Sequence, residues 1–114
     1  MLSYEAIIGR LEQIERDLEK KQEPLEKAAE EAHRCERDVE LRLAKGRLAA
    51  KGDTQTEKKD RALVALAAAE DDLYERWVNA DAVYAGLKAV TNVLDKRSMI
   101  GMALLKRFQR EMGG

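Results

Sequence analysis

Apolar residues recur along this chain at alternating spacings of four and three. From Tyr4 the pattern runs through Ile7, Leu11, Ile14, Leu18, Lys21, Leu25, Ala28, Ala32, Cys35, Val39 and Arg42, and all but Lys21 and Arg42 are apolar or small. Such a period marks a helix that buries one narrow stripe against another helix. Ser3 stands where a side-chain oxygen can accept a hydrogen bond from the first helical turn. Pro24 falls inside the pattern without shifting its phase. The expected element is a continuous helix over about 4–50, kinked near Pro24; two helices with a restart there are the alternative.

The pattern stops at Lys51-Gly52-Asp53-Thr54, so a turn is expected at about 51–54. Gly52 suits a left-handed C-terminal cap, and Thr54 with Glu57 three residues on fits a capping box. A second seam then selects Leu63, Leu66, Glu70, Leu73, Trp77, Ala80, Tyr84, Leu87, Thr91, Leu94, Ser98, Gly101, Leu105, Phe108 and Met112, which predicts one helix over about 55–112. A short turn between two long amphipathic helices makes them antiparallel neighbours. The fold class is therefore all-α: a single domain over 1–114, built as a coiled-coil-like helical hairpin whose last glycines, Gly113 and Gly114, fray.

The second helix carries more apolar surface than one partner covers. Tyr74, Val83, Val90, Val93, Met99, Ile100, Met102 and Leu104 lie outside its seam. A two-helix hairpin alone also buries too small a share of its surface to be comfortably stable. A homo-oligomer is the expected remedy, with Val83, Val90, Val93, Ile100 and Leu104 at its interface. The alternative is that the N-terminal segment folds back over this face.

Composition agrees with helices and excludes other classes. Charged residues reach 38%, aromatic residues only 4%, and there is one Pro; Ala, Glu, Lys, Leu and Arg make up well over half of the chain. So few β-branched, aromatic and turn residues argue against sandwiches, barrels and nucleotide-binding sheets. A lone cysteine forms no internal disulfide. The longest apolar runs, Ala62 to Ala69 and Met99 to Leu105, fall far short of the roughly 20 residues that span a bilayer. Met1-Leu2-Ser3-Tyr4-Glu5 lacks the basic-then-apolar pattern of a signal peptide, so a cytoplasmic location with no membrane partner is expected.

The net charge of −1 conceals four blocks. Residues 1–40 carry 7 basic and 12 acidic side chains, residues 41–61 carry 7 and 3, residues 62–95 carry 2 and 6, and residues 96–114 carry 5 and 1. In a hairpin turning at Gly52 the first basic block becomes a cationic tip. Lys45 and Arg47 would be its leading phosphate contacts, with Arg42, Lys51, Lys58 and Lys59 supporting, and Gly46 leaving room for a ligand between the leading pair. With no aromatic residue at the tip, binding would be electrostatic and indifferent to sequence. The second basic block, Lys96, Arg97, Lys106, Arg107 and Arg110, is expected to neutralise the acidic start (Glu5, Glu12, Glu15, Asp17 and Glu19) between helices or subunits.

Catalysis has no such footing. His33 and Cys35 are the sole members of their kinds and, two apart on a helix, point to different faces. No zinc-ligand spacing and no phosphate-binding glycine loop is present. A non-enzymatic protein without metal or cofactor is expected.

Lys45-Gly46-Arg47-Leu48, the Gly52-Asp53 turn, Asp72-Leu73-Tyr74, Trp77, Tyr84, Leu87, Leu94, Lys96-Arg97 and Ile100 together resemble the UvsY family of phage recombination mediators. The resemblance covers roughly residues 36–112; the turn here is shorter and the first 35 residues have no counterpart. It implies an oligomeric accessory protein of a bacterial host's cytoplasm that binds single-stranded DNA without sequence preference. Its protein partners would be a recombinase, which it helps to load, and single-stranded-DNA-binding protein. Lys45 and Arg47 match that family's basic pair. The competing expectation is a structural or adaptor coiled coil, phage or bacterial, that works through protein contacts without DNA.

Overall fold

The computed structural model describes residues 3–52 and 54–113. They form three helices: α1 (Tyr4–Ala49), α2 (Gln55–Ala67) and α3 (Leu73–Met112). No strand occurs among the described residues. Helix α1 continues through Pro24 without a restart. Its N-terminus is capped as expected: the Ala6 amide donates to Ser3 Oγ at 3.1 Å, and the Ile7 amide to the Ser3 carbonyl. All twelve of its seam positions are buried or half-buried, Lys21 and Arg42 included. No helix of the described residues is long and apolar enough to cross a membrane.

Two compact units divide the chain. The first joins Met1–Glu26 with Ala85–Gly114. Here the first turns of α1 lie beside the last turns of α3, with Ile7 and Leu94 buried. Gly101 sets how closely they approach, since a Cβ placed there would lie 2.6 Å from Leu11 Cδ2. Thr91, a polar member of the seam, is satisfied on its own helix: its hydroxyl donates to the Leu87 carbonyl at 3.0 Å.

The second unit is Lys27–Tyr84, built from the rest of α1, all of α2 and the start of α3. Val39, Leu66 and Leu73 form its core, with Leu43 and Trp77 packed against them. Residues far apart in sequence meet in antiparallel order: His33 stacks edge-on to Tyr84 with ring centroids 5.8 Å apart, and Arg42 binds Asp71. Ala32, Cys35 and Ala62 complete the buried set, so the helices approach through small side chains.

The single helix expected over 55–112 is divided. Helix α2 ends at Ala67; the Ala69 amide turns back to the Leu66 carbonyl at 3.3 Å and helix α3 starts afresh at Leu73. The cause lies in Glu70-Asp71-Asp72, where consecutive carboxylates favour a helix start over a helix interior. Asp71 Oδ1 accepts from the Leu73 amide, and the Asp72 carbonyl receives the Arg76 amide at 2.9 Å. Asp72 adopts φ 56°, a left-handed conformation that Asp tolerates better than most residues.

The same conformation was expected at Gly52, which does not adopt it. Asp53, the other half of that turn, lies outside the described residues, as does Gly114. Thr54 caps α2 as expected: its Oγ1 accepts from the Glu57 amide at 3.1 Å, and the Lys58 amide donates to the Thr54 carbonyl.

Candidate nucleic-acid interface

The cations of the first basic block sit on two helices. Arg42, Lys45, Arg47 and Lys51 come from the end of α1 and just beyond it, and Lys58, Lys59 and Arg61 from the first turns of α2. What joins these helices is Gly46. A Cβ on it would stand 3.0 Å from Ala62 Cβ and 3.3 Å from Ala62 Cα. The glycine expected to leave room for a ligand is filled by α2 instead, and its role is helix packing.

That packing separates Lys45 from Arg47. Two residues apart on a helix, they flank the α2 contact rather than converging. Arg47 joins Lys59, Glu40, Leu43, Ala62 and Leu63 around a depression of about 110 Å³. Lys45 lines another, of about 210 Å³, with Asp38, Leu41, Arg42, Leu73 and Arg76. Arg47 thus shares its depression with Lys59 and Glu40, and Lys45 shares its own with Arg42, Asp38 and Arg76, a cation on α3 that sequence reasoning missed. Arg76 lies in the acidic third block, on the first turn of α3.

Arg42, expected as a supporting cation, has a carboxylate partner. Its guanidinium grips Asp71 with both terminal nitrogens, Nη1 to Oδ1 at 3.2 Å and Nη2 to Oδ2 at 2.5 Å. The hydrogen bonds from Arg42 hold the Asp71 carboxyl below its ordinary value, and the Leu73 amide adds to the effect. The Arg42 guanidinium is raised in turn, chiefly by the same hydrogen bond. Arg42 is thus committed to the α2–α3 joint. Lys45, Arg47, Lys51, Lys59 and Arg61 are exposed, Lys58 is half-buried, and none of the six has a carboxylate partner among the described residues.

Among the described residues no ion pair joins the second basic block to the acidic start. Arg107 pairs with Glu111 on its own helix at 3.4 Å, and Asp17 Oδ1 accepts from Gln13 Nε2 at 2.9 Å. Lys96, Arg97, Lys106 and Arg110 are exposed and have no carboxylate partner among the described residues.

The expected interface positions are uncovered. Val83 is 57% exposed, Val90 45%, Val93 47% and Ile100 62%, while Leu104 is half-buried. The N-terminal segment reaches Gly101 on the seam of α3 and leaves this stripe open, so folding back does not account for it. Beside the tip, Leu48 and Val64 are also exposed.

His33 and Cys35 occupy different settings. The His33 side meets Tyr84, whereas Cys35 is buried and its thiol donates to Glu31 Oε1 at 3.6 Å. Burial pushes the thiol's pKa up and the Glu31 carboxylate raises it further. Comparison of the chain with known protein families, characterised proteins and solved structures returns no match.

Proposed function

We propose that this chain is a non-enzymatic, self-associating accessory protein that binds single-stranded DNA without sequence preference at its α1–α2 end. The observation that carries the reading is the set of exposed cations, Lys45, Arg47, Lys51, Lys59 and Arg61, left without carboxylate partners on a chain of net charge −1. Arg47 and Lys59 line one depression and Lys45 and Arg76 another, each with one carboxylate residue beside them, Glu40 and Asp38. A flexible single strand can wind around the α1–α2 end and meet cations on both sides of the Gly46–Ala62 contact, where a rigid duplex cannot bend as sharply.

One such end is a weak site. Self-association through the open stripe of α3 would present several ends to one strand, and the contacts then reinforce one another. The role of helping to load a recombinase onto strands coated by single-stranded-DNA-binding protein rests on the resemblance around Lys45-Gly46-Arg47. The test is fluorescence anisotropy of a labelled oligonucleotide at several salt concentrations, with Arg47→Ala/Lys59→Ala as the comparison. Absence of binding at low salt by the intact protein overturns the DNA reading.

A second reading has its own support. Exposed Leu48 and Val64 beside the tip, together with the α3 stripe, are what an adaptor coiled coil would use to hold a helical partner. In that case the apolar surface works and the cations are idle.

A further inference from the structure

The first unit contains a groove whose chemistry identifies an occupant. It encloses about 460 Å³ between the start of α1 and the end of α3, with Ile7, Leu11, Ile14, Leu94, Ile100 and Leu104 as its apolar lining. Arg10, Asp17 and Arg97 supply its charges. Val90 and Val93 continue the apolar surface along α3. We propose that this groove receives the same groove of a second copy, antiparallel, with Arg10 of each copy across from Asp17 of the other.

The spacing of Arg10 and Asp17 supports that occupant. Seven residues apart, they lie on one face of α1, separated by about 10.5 Å along the axis. A two-fold axis passing midway between them brings each Arg10 to the partner's Asp17, so one symmetric contact satisfies both charges twice. Arg97, on the facing helix, adds a cation to the same groove. A foreign acidic helix would match Arg10 and Arg97 but be opposed by Asp17; a basic helix would meet the reverse mismatch. A second copy carries both signs in the required order. Neither residue has an ion-pair partner among the described residues, Asp17 accepting a hydrogen bond from the Gln13 side-chain Nε2. Partial exposure of Ile100, Val90 and Val93 adds apolar area that the contact would cover.

This inference deepens the self-association part of the proposed function and does not depend on DNA. Its test is sedimentation equilibrium of the full chain at tens of micromolar, with helicity followed by circular dichroism. Arg10→Asp and Asp17→Arg should each weaken association at least about tenfold with helicity unchanged, because like charges then oppose each other. An equimolar mixture of the two variants should restore assembly, since one chain then supplies only acids and the other only bases. The double variant Arg10→Asp/Asp17→Arg should restore it as well. A monomeric wild-type protein would overturn self-association itself. A wild-type oligomer whose single variants assemble equally well would leave self-association standing and overturn this pairing. Monomeric variants that stay monomeric when mixed would overturn it too.

Discussion

Arg42 Nη1 and Nη2 meet Asp71 Oδ1 and Oδ2 as a fork on a fork, and the same Asp71 Oδ1 accepts the first amide of α3 from Leu73. One carboxylate therefore starts a helix and ties it to α1, 29 residues earlier in the chain. Both side chains remain partly exposed, so the contact orients the joint more than it adds to global stability.

Acid should loosen this joint. The Asp71 carboxyl lies below its ordinary value in the folded chain, so its contribution is present above the unfolded pKa, near 3.8, and is lost as pH falls through the lower folded value. Trp77 packs against the Val39–Leu66–Leu73 core, close to the joint, and is the single tryptophan. Its fluorescence should change at acidic pH in the wild type and already at neutral pH in Asp71→Ala. Asp71→Asn, which keeps an oxygen for the Leu73 amide, should lower the melting midpoint by less than Asp71→Ala.

Two glycine substitutions should have opposite signs. Gly9 lies in α1 with nothing within 4 Å of an added Cβ, so Gly9→Ala should stabilise by about 1 kcal/mol through helix propensity. At Gly46 the added methyl meets Ala62, whose Cβ and Cα cannot rotate away. Gly46→Ala should therefore lose that gain, and Gly46→Val should destabilise by about 1–3 kcal/mol as an overpacked contact. Urea unfolding followed by Trp77 fluorescence reports the second case directly, and circular dichroism the first.

Cys35 should react slowly with a thiol reagent in the folded protein at neutral pH. Its side chain is buried and both burial and Glu31 disfavour the thiolate. Reaction with an aromatic disulfide should accelerate strongly on adding denaturant, and Glu31→Gln should speed the folded-state reaction modestly. A folded-state rate equal to that of a free thiol would contradict the burial.

DNA binding should weaken and lose salt dependence when paired cations are removed. For single strands each lost phosphate contact flattens the slope of log K against log salt by about 0.7. Arg47→Ala/Lys59→Ala and Lys45→Ala/Arg76→Ala should each flatten it by about 1.4 if both members touch phosphate. Arg42→Ala should instead act by loosening the joint between α1 and the start of α3, since it frees Asp71. Anisotropy titrations on folded variants separate the two outcomes.

The alternating spacing in the sequence determined which face of α1 is buried, because a helix brings every third and fourth residue to one side and apolar residues there leave water together. Tyr4 through Arg42 followed that rule position by position. Ser3 and Thr54 were equally legible, since a cap needs only an oxygen and an amide a few residues away. The break at 68–72 had a local sign in Glu70-Asp71-Asp72, but the 4-3 pattern ran across it through Leu66 and Leu73. Tertiary structure decided that contest: Leu66 and Leu73 share one core while Asp71 reaches Arg42. The same applies at the tip. Sequence shows that Lys45, Gly46 and Arg47 are adjacent, but only the approach of Ala62 makes the glycine a helix contact and leaves the two cations in separate depressions, one shared with Arg76 and the other with Lys59. Periodicity is a property of one helix, whereas the neighbours of a side chain depend on residues tens of positions away.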